Sequence, residues 1–339
     1  MKFLYVLVSS KSDYYYEQAL MSVYSLKRVM PKAFVTLVVD DGTSQTLQGK
    51  RAEILKYIDE YKIIQMDNHK TSQYRSRFLK TKVREFIDGD ILYVDVDTVF
   101  CDVIDSSVFN DDVMGVPDGH CLLKDHPMLH FIENNLKICG FNPATPYHIN
   151  GGILYLKDSE RARNYGKRWH QLWLQSVEKG VSIDQPSLNQ ANADFGNIIS
   201  ILPGAYNAQI LRSINELADA KIIHYFSSWT NEKRYTPSYR LLQDSFLQMV
   251  REKGLCENVK TLLENPKRAF DKHVFLLNGS LNDYLQSKLS SDLAILAGSD
   301  NSAVIKLYNF LIRFIPWIIR KYYKFVPYLS PVYHFIKRK

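Results

Sequence analysis

The segment Ile91-Leu92-Tyr93-Val94-Asp95-Val96-Asp97-Thr98 constrains the fold of this chain more than any other. A run of strand formers ends in two carboxylates one residue apart. That is the pattern of a buried strand whose carboxyl end opens into a site. Paired carboxylates at such an edge are costly unless positive charge lies between them. A divalent cation carrying a diphosphate meets that need, because hard cations take oxygen ligands and bridge phosphate oxygens. The plain alternative is a pair of solvated loop acids, and the apolar run in front argues against it.

The pattern around this segment alternates. Strands are expected near 3–8, 34–39, 62–66 and 91–95, and helices near 15–30, 47–60 and 75–88. Such alternation predicts an α/β fold with a helix-covered, largely parallel sheet. Gly151-Gly152-Ile153-Leu154-Tyr155-Leu156 reads as a further strand entered through glycines. Residues 159–179 read as an amphipathic helix that buries Trp169, Trp173 and Val177 on one stripe. Short strands are expected at 198–202 and 221–225, and from about 238 the pattern is helical and polar.

Charge is distributed unevenly. The chain has 339 residues and a formal net charge of +7. Residues 301–339 hold eight Lys or Arg and no acid, which leaves 35 basic and 36 acidic groups elsewhere. A nucleic-acid-binding body should carry the basic footprint itself, so no nucleic-acid partner is expected. The tail also holds ten aromatic residues, and its longest apolar run, Phe314 to Ile319, is broken by Pro316. That is too short to span a bilayer. Basic residues interleaved with Trp, Tyr and Phe suit a segment lying on an anionic membrane surface, the alternative being a helix pair packed on the body or on a second subunit. The four cysteines, Cys101, Cys121, Cys139 and Cys256, form no CxxC pair and read as free thiols in a reducing compartment. The apolar start reads as a first strand ending near Ser9 rather than as a leader, since no small-x-small site follows.

Four pieces carry the chemistry. Asp95 and Asp97 are the first. Arg77, Lys80 and Arg84 are the second, spaced to share a helix face. Lys80 to Asp88 rises about 12 Å along a helix, and Ile91 to Asp95 rises about 13 Å along a strand. Lys80 and Arg77 should therefore stand level with the carboxylates, and Arg84 lower, on a solvated face. The third piece is His148-Ile149-Asn150-Gly151-Gly152, where glycines let backbone approach a ligand and Asn150 offers both a donor and an acceptor. The fourth is Asp184-Gln185-Pro186-Ser187-Leu188-Asn189 together with His224, a histidine at a strand end and so a candidate metal ligand.

In this order the motifs resemble a GT-A-fold glycosyltransferase, most closely the retaining glycosyltransferases of family eight, the glycogenin and bacterial lipooligosaccharide galactosyltransferase group. The resemblance rests on Leu92-Tyr93-Val94-Asp95-Val96-Asp97, Asn150-Gly151-Gly152-Ile153-Leu154, Asp184-Gln185 with Leu188-Asn189, Tyr206-Asn207 and His224-Tyr225. It covers roughly residues 1–230. It implies a mixed, Rossmann-like sheet flanked by helices over 1–240, while the polar helical pattern beyond reads as an extension over 241–300 and composition makes 301–339 the membrane-association tail. It implies that Asp95, Asp97 and His224 hold Mn²⁺ (or Mg²⁺). Ser9, Asp40, Arg77, Lys80, Asp95, Val96, Asn150, Gly151, Gly152 and Asp184 would bind a nucleotide sugar, UDP-galactose or UDP-glucose. Asp184 and Gln185 would act at the reacting carbon, and Asp118 and Trp229 would line the sugar or acceptor pocket.

The chain departs from the family at two places. Ser9-Ser10-Lys11-Ser12-Asp13 stands where the family often has two acids for the base. Phe226-Ser227-Ser228-Trp229-Thr230-Asn231-Glu232-Lys233-Arg234 stands where the family has Gly-x-x-Lys-Pro-Trp. The function expected is hexose transfer to a saccharide, lipid-linked as in lipopolysaccharide or polysaccharide synthesis, on the cytoplasmic face of an inner membrane. Two rivals remain. Asp95-Val96-Asp97-Thr98 also fits the first motif of a haloacid-dehalogenase-like phosphatase, with Asp95 as nucleophile. A catalytically inactive, membrane-bound scaffold is the other, and the intact acid set argues against it.

Overall fold

The computed structural model describes residues 1–67, 69–226, 238–271 and 292, and in the tail 301–311, 313, 314, 317, 318 and 321. The described residues up to 271 belong to one compact unit, and those of the tail to a second.

The expected α/β architecture is present. Four strands run parallel: β1 (Lys2–Leu7), β2 (Phe34–Asp40), β3 (Glu60–Ile64) and β4 (Ile91–Val94). Three residues form β5 (Thr98–Phe100), followed by β6 (Val113–Pro117), β7 (Ile149–Leu156), β8 (Ile199–Ile201), β9 (Ala208–Gln209) and β10 (Ile222–His224). The main sheet has the order β3-β2-β1-β4-β7-β6-β8, and β7 runs against both its neighbours. A second sheet has the order β5-β10-β9. Alternate residues of β1 face opposite cores: Phe3, Tyr5 and Leu7 one way, Leu4 and Val6 the other.

Helices cover both faces. On the first lies α1 (Tyr15–Val29), which buries Tyr16, Ala19, Leu20, Val23 and Leu26 at helical spacing. Its buried hydroxyls seat β5: Ser22 Oγ lies 2.8 Å from Thr98 Oγ1, and the Phe100 N–H donates to Ser25 Oγ at 2.9 Å. The short α2 (Asp41–Thr46) follows β2. The opposite face carries α3 (Ser72–Thr81), α4 (Val83–Phe86), α5 (Leu129–Cys139), α6 (Glu160–Glu178) and α7 (Gln185–Asp194). Trp169 and Trp173 are buried on α6 as expected, with Val177 half-buried beside them.

Beyond residue 238 the helices α8 (Asp244–Lys253) and α9 (Glu257–Glu264) pack on α1, within the same unit as the sheet. Arg251 Nε donates to Glu17 Oε1 at 2.8 Å, so a carboxylate with 1% exposure in α1 has its counter-ion in α8.

Three expectations need correction. No α-helix fills 47–60; a 3-10 helix, Gly49–Tyr57, takes its place. Gly49 adopts φ +57°, which an α-helix cannot contain. The helix expected at 75–88 begins earlier, at the Thr71 cap, and breaks at Lys82 into α3 and α4. That break turns Arg84 inward. It is buried rather than solvated, and its guanidinium donates to the backbone carbonyls of Gly89, Leu156 and Ile87.

In the tail unit, helical residues run from 302 to 311 and recur to 321. Phe310, Phe314 and Trp317 are exposed and stack in series, with ring centroids 5.2 and 5.7 Å apart. Among the described residues no helix is long and apolar enough to cross a membrane.

Arg84→Met keeps the aliphatic stem but leaves three carbonyls without their donor. We expect a loss of about 2–4 kcal/mol in urea unfolding, against no measurable change for a substitution at the exposed Lys11.

Candidate functional site

A cleft of about 430 Å³ opens beyond the carboxyl ends of β1 and β4. This is where ligands enter open α/β sheets. Its walls bring together Arg77, Lys80, Asp95, Asp97, Asn150, Gly151, Gly152, Asp184, Gln185 and His224, ten residues expected from the sequence.

Strand pairing assembles the acidic end. The Asp95 N–H donates to the Gly152 carbonyl at 2.8 Å, which extends the β4–β7 ladder by one step. The chain then turns, and Thr98 Oγ1 closes the turn on the Asp95 carbonyl at 2.9 Å. β5 pairs antiparallel with β10 in a register that sets Thr98 opposite His224. Asp95, Asp97 and His224 consequently offer ligand atoms within 4.8 Å of one another.

The donor set fits a divalent cation. His224 Nδ1 lies 3.0 Å from Asn207 Oδ1, an acceptor, so that nitrogen donates. Its Nε2 faces Asp97 Oδ1 at 3.3 Å. Two carboxylates with one imidazole are a ligand set that suits a divalent cation such as Mn²⁺ or Mg²⁺. Gly152 is required beside them, because a Cβ there would overlap the His224 ring.

The basic helix stands where the rise arithmetic put it. Lys80, with 2% exposure, has its Nζ 3.2 Å from Asp95 Oδ1 and 3.0 Å from Asp184 Oδ2. Arg77 Nε lies 2.9 Å from Asp184 Oδ1. Burial pushes the Asp184 carboxyl up, but the charges of Lys80 and Arg77 outweigh it and hold the group below its ordinary value. Desolvation likewise opposes charge on Arg77, and Asp184 and Asp95 more than restore it. Tyr93 was not among the expected residues. Its phenol, kept protonated by burial and by the Asp95 charge, donates to Asp95 Oδ1 at 2.5 Å. The signal was available, since residues two apart on a strand share a face.

Asn150 is largely engaged within the protein. Its Oδ1 accepts from the Gly152 N–H at 2.9 Å and from Asn207 Nδ2 at 3.1 Å, while Nδ2 donates to Asp118 Oδ1 at 3.2 Å. One N–H is left for the cleft. Gln185, the first residue of α7, donates from Nε2 to Asp118 Oδ2 at 2.9 Å. Asp118 thus lies behind the cleft wall rather than in it. Burial pushes its carboxyl up, and the neighbouring His126, with Arg212 and His148, holds it well below the carboxylate range. His126 was also missed as a site residue, and Asn207, quoted in the Tyr206-Asn207 motif, was given no site role.

The remaining expected residues are elsewhere. Ser9 is tied to Asp13 at 2.7 Å and to Arg51 at 3.0 Å. Asp40 is fully buried, caps α2 through the Thr43 N–H at 2.8 Å and pairs with Arg75. Val96 packs half-buried against the core. Trp229, like Lys233 and Arg234, lies outside the described residues.

If the triad holds a divalent cation, Gly152→Ala should displace His224 and weaken binding of that cation, probed with Mn²⁺, about 10- to 100-fold, as losses around a metal ligand do. Titration of the metal-free protein by calorimetry reads this directly, and an unchanged Kd would contradict the triad.

No protein-family model matches the chain, and no curated protein matches it. Solved structures do. The galactosyltransferase LgtC in complex with donor and acceptor sugar analogs is 14% identical, with TM-score 0.48, over 85% of this chain and 100% of that one. Mouse xyloside xylosyltransferase 1, in its apo form, is 13% identical, with TM-score 0.43, over 66% and 97%. An active-site mutant of LgtC is 15% identical, with TM-score 0.44, over 67% and 87%. Each is a glycosyltransferase by its description. At these identities the likeness is one of chain path and does not extend to what this chain binds.

Proposed function

We propose that this chain is a metal-dependent glycosyltransferase that moves a hexose from UDP-galactose or UDP-glucose to a saccharide acceptor. The observation that carries the reading is one cleft in which a carboxylate–carboxylate–imidazole triad adjoins a buried Lys–Arg pair and the Asp184–Gln185 step. A diphosphate between a metal and two cations, with its sugar against Asp184 and Gln185, uses every charged group there.

Asp95, Asp97 and His224 would hold the metal, which when bound supplies Lewis-acid stabilisation to the departing diphosphate. Lys80 and Arg77 share that charge from the α3 side. Asp184, fixed by both cations, orients the sugar hydroxyls, and the free N–H of Asn150 adds a donor. Gln185 lies beside the reacting carbon. An amide is a poor nucleophile, so a front-face reaction with retention, through an oxocarbenium-like transition state, suits it better than a covalent intermediate.

The phosphatase alternative fits less well. Both Asp95 oxygens already accept from Lys80, Oδ1 accepts from Tyr93 as well, and the third ligand atom near them is an imidazole nitrogen.

The acceptor is proposed to be lipid-linked, on the cytoplasmic face of an inner membrane. Supporting this are the acid-free tail and its exposed series Phe310, Phe314 and Trp317, with Lys321 Nζ 5.8 Å from the Trp317 ring.

Release of UDP from a panel of UDP-sugars, with Mn²⁺ and with EDTA, tests the chemistry without knowledge of the acceptor. Metal-dependent release from one hexose donor is expected, reduced about 100-fold or more in Asp97→Asn. No release from any UDP-, GDP- or CMP-sugar would overturn the reading, and hydrolysis of a phosphomonoester would replace it. Separately, the full chain should sediment with anionic vesicles and come off at high salt, while a chain lacking 301–339 should not bind them.

A further inference from the structure

Behind the cleft wall, one buried carboxylate holds two amides. Asp118 Oδ1 accepts from Asn150 Nδ2 at 3.2 Å, and Oδ2 accepts from Gln185 Nε2 at 2.9 Å. His126 Nε2 stands 3.4 Å from the same Oδ2. The tautomer of His126 follows from its other nitrogen: Nδ1 accepts the Met128 N–H at 3.0 Å, so the ring proton is on Nε2 and faces Asp118. The Asp118 N–H, in turn, donates to the His148 carbonyl at 2.6 Å, which pins the residue to the start of β7. This carboxylate is acceptor-only, surrounded by donors, and has 8% exposure.

We propose that Asp118 is the positioning residue of the transfer reaction, fixing the polarity of the Gln185 amide at the reacting carbon. The proposal rests on the glycosyltransferase reading above and deepens it. An amide has two ends of similar shape and opposite charge. Because Asp118 can only accept, it admits the Nε2 end alone, and the carbonyl Oε1 is left as the end available to the cleft. A reversed amide would set Oε1 against the carboxylate, and an unpaired acceptor pair in a buried place is strongly disfavoured. The polarity matters to the chemistry. Positive charge grows on the sugar ring as the bond to the diphosphate stretches. A carbonyl oxygen beside it lowers that energy, whereas an N–H₂ group raises it. Asp118 sets Asn150 in the same act, so its one remaining N–H and the Gln185 oxygen keep a fixed relation across the cleft wall. None of this needs Asp118 to touch the substrate.

Asp118→Asn is the informative change, since it keeps the volume but turns one of the two acceptors into a donor. Either Gln185 or Asn150 must then reverse. In nucleotide release from the UDP-sugar that wild type uses, kcat should fall about 100-fold with the donor KM within about threefold. Gln185→Glu should be far less damaging in the Asp118→Asn background than in wild type. There the substituted amide can donate to the new carboxylate, where Asp118 repels it. A coupling of about tenfold or more in kcat is expected. Additive effects, or a change confined to KM, would overturn the proposal. If wild type releases nucleotide from no sugar, the functional reading fails instead. The polarity is then decided by the side-chain amide resonances of Gln185, identified by their loss in Gln185→Glu. They should shift in Asp118→Asn, and unchanged resonances would overturn the assignment.

Discussion

The Lys80 ammonium is the interaction on which the site depends. It is nearly inaccessible and lies within 3.2 Å of carboxylates from two distant segments, Asp95 after β4 and Asp184 before α7. A buried ammonium without a counter-charge would be costly, and so would a buried carboxylate. Together the three are tolerable, and Arg77 on the same helix completes the balance. This arrangement draws α3, the mouth of the sheet and the start of α7 to one place before any ligand arrives. An anionic ligand entering there, such as the proposed diphosphate, would meet positive charge already desolvated, where it acts more strongly than in water.

Much of the cleft was legible in the sequence because strand and helix geometry is regular. A run of strand formers ending in carboxylates located Asp95 and Asp97, and a strand-end position located His224. Comparing the rise of a helix with that of a strand placed Lys80 and Arg77 at the right height. The same arithmetic misjudged the surroundings of Arg84. Spacing gives azimuth only on an unbroken helix, and the break at Lys82 rotated Arg84 into the core. Ser9 follows β1 and Asp40 ends β2, both at the expected edge. Their side chains are taken up by local turns and a helix cap, which short polar residues after strands commonly serve. The Asp118–Gln185 and Asn150–Asn207 contacts join residues 67 and 57 apart, so spacing alone does not announce them, although Asn150 and Asn207 both stand in motifs that carry the resemblance.

The second, three-stranded sheet explains how candidate metal ligands far apart in sequence come together. β5 begins one residue after Asp97, and its partner β10 ends on His224. A slip of one residue in that pairing would send the imidazole to the other face of the ribbon. The hydroxyls of Ser22 and Ser25 on α1 resist such a slip by holding β5 from behind. Core packing and site geometry are therefore not separable in this molecule.

The pairing of Glu17 with Arg251 bears on how the chain comes to be folded. Glu17 is enclosed in the first helix, yet its counter-ion is 234 residues later. While the chain emerges from a ribosome, the strands of both sheets are complete before Arg251 is made. Through that interval Arg51, whose guanidinium also feels the Glu17 charge, is already made. The last helical turn before Gly254 then brings a second cation to that carboxylate and ties the opening helix to the far end of the same unit.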